Sequence, residues 1–337
     1  MNRVFWTCLP LALLAVLTIL SAPVSSGGQW NAATLTPEEL YARFGSEEAE
    51  ISLRDALKLL LRLVNEDRER AGLEALAWDR VASYAAEEHA REMAEHHYLS
   101  HLNLNGEKPN LRYNRHGGTD QVTENVSYWE SDIRLYLTPQ VVEDIHRRWM
   151  ESEAHRRNIL SPHHTAVGIA IVLEWNRSSS VLTAAEEFVA AFGRFQPLPL
   201  RAGRDEKLEL RGEFYDRSYR LAYVAVGFEP LPERQVPEYL NANLNGYSLP
   251  KPFAAIMQSS DRHRQRVEGL PTLYLLASDP NRGRFGGRLS VQDLIDGLRE
   301  AGRARQFAPG LYYFMVWAQP PEGGLLLVST QVVRVEQ

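Results

Sequence analysis

Between Val64 and Gly168 the chain carries four short polar motifs, VNEDRERAGLEALAWD, HHYLSH, TENV and WMESEAHRRNIL, well separated in sequence. His101, Glu124 and His155 each stand at the edge of a different motif. Along a line these residues share no chemistry, so the pattern asks for a fold that brings three segments to one cleft. Two imidazoles and a carboxylate can hold a metal ion, relay a proton, or tie a polar cleft together through hydrogen bonds. The residue types leave all three uses open.

The surrounding segments read as regular structure. Leu53, Ala56, Leu57, Leu60, Leu61 and Val64 recur at spacings of three and four, the pattern of an amphipathic helix. Gly72, just beyond, suits a left-handed cap. Asp79 is placed to N-cap a second helix running to about His97. Thr138-Pro139 starts a third, which carries Val142, Ile145 and Trp149 inward and ends near Asn158. Trp78 and Trp149 are expected at helix-packing positions in the core. Residues 166–173 and 187–192 read as strands, the first interrupted at Gly168. Helices leading into strands predict a helix–sheet layered sandwich.

The length, 337 residues, favours two domains. Asn2 and Arg3, an apolar run over 9–20 and a small, flexible stretch over 21–28 form the layout of a secretory signal peptide, assigned to residues 1–26. The apolar run falls short of the ~20 residues of a spanning helix, so a cleaved chain has no transmembrane segment; an uncleaved N-terminal membrane anchor is the alternative. Cleavage would also remove Cys8, the single cysteine, and leave a mature chain without thiol or disulfide. A flexible lead-in follows over 27–46, then a first domain over 47–195 and a proline-rich linker over 196–204. Residues 205–337 read as an all-β, immunoglobulin-like sandwich, with strand-like runs at 207–210, 219–227, 273–277, 310–318 and 324–336 and one helical insert at 291–301. YYFMVWA, a turn, and LLLVSTQVVRV form a hairpin pattern within it. A net charge of -6, with no basic stripe, excludes nucleic acid as a main partner.

Val64-Asn65, Arg68, Gly72-Leu73, Leu76 and Trp78-Asp79 are followed by Ser100-His101, Glu124-Asn125-Val126, Trp149-x-x-Ser152-x-x-His155-Arg156-x-Asn158-Ile159-Leu160, Val167-Gly168-Ile169 and Phe192-Gly193. In this order they resemble the CAP superfamily (cysteine-rich secretory, antigen 5 and pathogenesis-related class 1 proteins, SCP-like) over about residues 50–195. The resemblance is to its cysteine-free bacterial branch. It implies an α-β-α sandwich with a His- and Glu-lined cleft, where His101, Glu124 and His155 hold family positions. Two departures stand out. Glu186-Glu187-Phe188-Val189 occupies the place of a eukaryotic His-Tyr-Thr-Gln motif, and Ser152, between Glu151 and Glu153, replaces a helix glutamate.

The leading expectation is an extracellular binding or interaction module, secreted or on the cell-envelope exterior, whose cleft receives a small ligand, a lipid or a divalent metal. The alternative is a metal-assisted, peptidase-like hydrolase. In it His101 and His155 would bind Zn²⁺ or another divalent cation, and Glu124 would act as third ligand or as base. A third reading is an adhesive envelope protein whose β-sandwich contacts protein or glycan. Asn125, Ser152 and Arg156 are cleft neighbours: Asn125 would tie a loop down and Arg156 would serve a helix end. Ser152 has no identifiable third residue or oxyanion loop to make it a nucleophile.

Overall fold

Helix α1 (Leu53–Arg70) begins where the Ser52 hydroxyl accepts from the Asp55 amide at 3.1 Å. It ends as Gly72 adopts φ +73°, which lets the Leu73 amide reach the Arg68 carbonyl at 2.9 Å. After the two-residue strand β1 (Ala77–Trp78), Asp79 caps α2 (Arg80–His96) by accepting from the Ala82 amide at 2.7 Å. This computed structural model describes residues 47–337 apart from 176–178, 245, 259–266, 268–269, 271, 280–281, 301, 303–308 and 337. The expected signal peptide, the lead-in and Cys8 lie outside the described residues.

A short helix, α3 (Pro109–Arg115), precedes strand β2 (Gln121–Ser131); neither stood out in the hydrophobic pattern. Thr138 and Pro139 open α4 (Pro139–Glu151) as expected. The helix expected to continue to Asn158 breaks at Ser152, which is extended at φ -82° and ψ 120°. The turn into α5 (Glu153–Ile159) points His155 and Ile159 inward.

Strands β3 (Ala166–Trp175) and β4 (Ser180–Ala190) complete a four-stranded sheet of order β1-β3-β4-β2. β4 starts well before the expected position 187. β3 runs unbroken through Gly168, where a Cβ would lie 2.1 Å from the Ser83 nitrogen. The missing side chain is therefore what lets α2 lie against the strand. Val167, Ile169, Leu182 and Phe188 pack on Leu60 and Val64 of α1 and on Val142, Ile145 and Trp149 of α4. On the other face Ala170, Val172, Val181 and Ala185 meet Ala86, Ala90 and Met93 of α2. This is the expected α-β-α sandwich. Trp149 is buried, but Trp78 is 42% exposed. The core placement of Trp78 is thus corrected: it sits on an edge strand rather than on a helix.

The C-terminal part is β-rich. Strands β5 (Gly193–Phe195), β6 (Arg201–Ala202), β7 (Lys207–Phe214), β8 (Arg220–Pro230), β9 (Pro252–Gln258), β10 (Thr272–Asp279), β11 (Arg284–Ser290), β12 (Gly310–Gln319) and β13 (Leu326–Val335) pair in the order β5-β7-β11-β10-β9-β8-β12-β13-β6. Two short helices, α6 (Pro237–Ala242) and α7 (Val291–Glu300), interrupt them. Phe195, Leu210 and Phe285 from one end of this order share a single core with Tyr312, Phe314 and Val333 from the other, and with Leu294 and Leu298 of α7. The pairing therefore folds over on itself. β12 and β13 form the expected hairpin, while β9–β10 and β6–β13 pair in parallel. The proline-rich stretch runs along this sheet, where the Leu198 amide donates to Gln331 Oε1 at 2.7 Å.

The two parts share an interface. Asn114 accepts from the Val332 amide at 2.9 Å, and Thr330 Oγ1 donates to Gln121 Oε1 at 2.6 Å. Leu111 of α3 packs with Leu311, Tyr313 and Val332. Among the described residues no helix is long and apolar enough to cross a membrane.

Candidate functional site

β2 is the edge strand of the first sheet and, among the described residues, pairs with β4 alone. Its alternation sends Glu124 and Val126 toward α2, and Asn125 and Trp129 toward α4. The register sets Glu124 opposite Glu187 and Asn125 opposite Glu186. Two carboxyl groups thus lie side by side on one face of a buried sheet.

Glu124 has both oxygens engaged. His101 Nδ1 lies 2.8 Å from Oε1, and Arg112 Nη2 lies 2.5 Å from Oε2. A carboxylate only accepts, so the proton sits on Nδ1 of His101. Arg112, on α3, also donates to the His101 and Glu107 carbonyls at 2.9 Å each. Burial works to raise the Glu124 pKa, but Arg112 first, then His89 and His101, hold it down at about 2. Glu187 moves the opposite way. Burial, and then the charge of Glu124, push it well above its ordinary value, with Arg112 Nη2 3.9 Å away. The two carboxyl groups are thus driven apart, Glu124 toward the carboxylate and Glu187 toward the acid. Beneath them His89 donates from Nε2 to the Ser100 carbonyl at 2.7 Å, and burial lowers its pKa to about 3.

His155 approaches from α5. It is 3% exposed, and burial, followed by the nearby His101, lowers its pKa to about 4. Its imidazole is therefore neutral, and among the described residues it has no hydrogen-bond partner. Asn125 ties this segment to the strand: its Nδ2 donates to the His155 carbonyl at 3.3 Å and to Glu186 Oε2 at 3.1 Å. Asn158 donates in turn to Asn125 Oδ1 at 2.9 Å and to the Glu124 carbonyl at 3.2 Å. Arg156 turns back to the Met150 carbonyl at 2.7 Å and serves the helix junction. Ser152 lines the groove beside His155. That groove holds about 270 Å³ between the edge of β2 and α4, with Leu99, Val126, Ile145, Trp149, Ser152 and His155 in its wall.

The fold therefore joins His101 directly to Glu124 and brings His155 close without bonding it to either. Among the described residues no three His, Cys, Asp or Glu side chains converge as metal ligands. In this arrangement both Glu124 oxygens are engaged, so Glu124 would have to release Arg112 or His101 before it could act as a metal ligand. Arg112, Glu187 and His89 escaped the sequence reading. In the sequence Glu187 belongs to the stretch that lacks the family histidine; its role follows from strand register, which leaves no local mark.

Residues 61–189 match the cysteine-rich secretory protein family, CAP. The uncharacterized protein YkwD of Bacillus subtilis (strain 168) is 27% identical over 115 residues, covering 34% of this chain and 42% of that protein. The chain thus spans less than half the length of this relative. Among solved structures, an outer surface protein from Borrelia burgdorferi superposes with a TM-score of 0.34 and 16% identity, covering 42% of this chain and 97% of that one. An extracellular protein containing a SCP domain from Bacillus anthracis str. Ames gives a TM-score of 0.31 and 22% identity, covering 46% of this chain and 44% of that one.

Proposed function

We propose that this chain, whose residues 61–189 form a cysteine-free CAP domain, is an extracellular binding module that takes a small amphiphilic ligand into the groove beside His155. The observation that carries the reading is that imidazole: neutral, almost wholly buried, and in the wall of a groove that sets Leu99, Val126, Ile145 and Trp149 beside the polar Ser127, Arg148, Glu151 and Ser152. A neutral imidazole in the wall of a groove can donate to or accept from a ligand hydroxyl or carboxyl and so fix its orientation. At about 270 Å³ the groove lies just under the roughly 300–1,000 Å³ of sites for drug-sized molecules. It suits one short acyl chain or a single ring better than a whole sterol. The secretory pattern at the N-terminus supports the extracellular assignment. Metal-assisted hydrolysis has less support, since Glu124 would first have to leave Arg112 or His101.

The test is calorimetric titration of the full chain with decanoate, beside Ser152→Phe, which fills the groove, and His155→Leu, which removes its polar group. Saturable binding weakened about tenfold or more, about 1.4 kcal/mol, by each substitution is expected. If the wild type takes up no decanoate, or all three proteins bind it equally, the proposal fails.

A further inference from the structure

The described residues of the connection between β8 and β9, 231–244 and 246–251, leave their own sheet and lie across the first domain. The Gln235 amide donates to the Leu104 carbonyl at 2.7 Å. At Gly106 a Cβ would sit 2.8 Å from Pro232 Cβ, so the passage needs glycine there. Leu240 of α6 is buried among Ala90, Met93 and Leu99 in the first domain's core. Asn241 accepts from the Leu99 amide at 2.9 Å and donates to the His97 carbonyl at 3.0 Å. Lys108 donates to the Ser248 carbonyl at 2.7 Å and pairs with Glu229. Between these anchors Tyr247 lays its ring against His101, with centroids 5.4 Å apart and planes inclined at 60°. Burial, and then Glu124 and Glu187, push the Tyr247 phenol well above its ordinary pKa, with Arg112 and a backbone hydrogen bond to Glu124 opposing. Its hydroxyl thus stands, protonated, at the carboxyl pair on the edge of β2.

We infer that the His101 end of the cleft is an aromatic subsite filled by the chain's own Tyr247, so that the C-terminal part closes this end and a ligand reaching His101 must displace that ring. The subsite takes a phenol or similar aromatic group: the ring lies against the His101 imidazole, and the hydroxyl reaches the Glu124 backbone beside the two carboxyl groups. It shares the cleft with the groove beside His155, but the closure does not depend on decanoate binding there.

Acylation of unprotonated imidazoles by diethyl pyrocarbonate, read by peptide mass mapping on the full chain near neutral pH, tests this. In the wild type His97, whose side chain is 45% exposed, is modified while His101 is spared. In Tyr247→Gly, His101 becomes reactive, with a rate increase of about tenfold or more, and added p-cresol restores protection by occupying the vacated space. Tyr247→Phe keeps the ring and leaves His101 protected. A wild-type His101 that reacts as fast as His97 overturns the inference without any variant. So does an unchanged His101 in folded Tyr247→Gly, a variant that p-cresol fails to protect, or loss of protection in Tyr247→Phe. None of these readouts involves decanoate, so failure of the groove proposal and failure of the closure are separately visible.

Discussion

Replacing Arg112 with methionine isolates the interaction on which the site depends. The arginine is fully buried and donates to Glu124 and to two backbone carbonyls, with Glu187 close by. Methionine fills similar space but strands the Glu124 carboxylate in the interior without a cation. Removing one partner of a buried pair costs about 3–5 kcal/mol, a large share of the roughly 5–15 kcal/mol that holds a typical domain folded. At roughly 2–4 °C per kcal/mol for a unit of this size, Tm falls by roughly 10 °C. Glu124→Gln should be milder. The Glu124 charge is part of what keeps Glu187 protonated, so its removal frees Glu187 to ionise and serve Arg112 instead. A loss of about 1.5–3 kcal/mol, that of a hydrogen bond to a charged group, is expected. Urea unfolding of the full chain, followed by tryptophan fluorescence and far-ultraviolet circular dichroism, measures both. An Arg112→Met cost below about 1 kcal/mol, or a larger cost for Glu124→Gln than for Arg112→Met, refutes the reasoning.

Stability should peak in mildly acidic solution and fall on either side. Glu186 at about 8 and Asp120 at about 7, raised by burial from 4.5 and 3.8, with Glu187 raised likewise, keep protons in the folded state that the unfolded chain has lost, so their contribution disappears as pH rises through those values. His89 at about 3 and His155 and His164 at about 4 resist protons that the unfolded chain binds below 6.5, and Glu124 at about 2 adds to the loss below 4.5. A urea midpoint that climbs steadily from pH about 6 to about 8.5 contradicts these signs. Gly168→Ala should cost several kcal/mol, or prevent folding, because its Cβ would meet backbone atoms of α2 at 2.1 and 2.2 Å; a melting point close to the wild type would show that α2 can shift freely. Arg68, buried, donates to the carbonyls of Glu74, Ile159, Ser161 and His164. Arg68→Lys keeps the charge but loses the planar fork, at a cost of about 2–4 kcal/mol by urea unfolding; full stability in the lysine variant would mean the charge alone suffices.

What was legible in the sequence was local. Apolar residues at helical spacing, Asp79 and Thr138 as caps and Gly72 as a left-handed stop act within a few residues, so α1, α2 and the start of α4 could be placed from them. The motif order led to the CAP fold and to His101, Glu124 and His155 as residues of one region. The break at Ser152 was not legible, because both sides of it carry helical sequence. Nor was the exposure of Trp78, which depends on β1 lying at the edge of its sheet.

The partners and charge states of the site were decided only by tertiary structure. Strand register sets Glu187 beside Glu124, a helix with no strong pattern delivers Arg112, and a connection in the C-terminal part brings Tyr247 onto His101. The sequence supplied the ionisable groups. Whether each is charged depends on burial and on neighbours distant along the chain, and those exist only once the sheet has paired and the two parts have met.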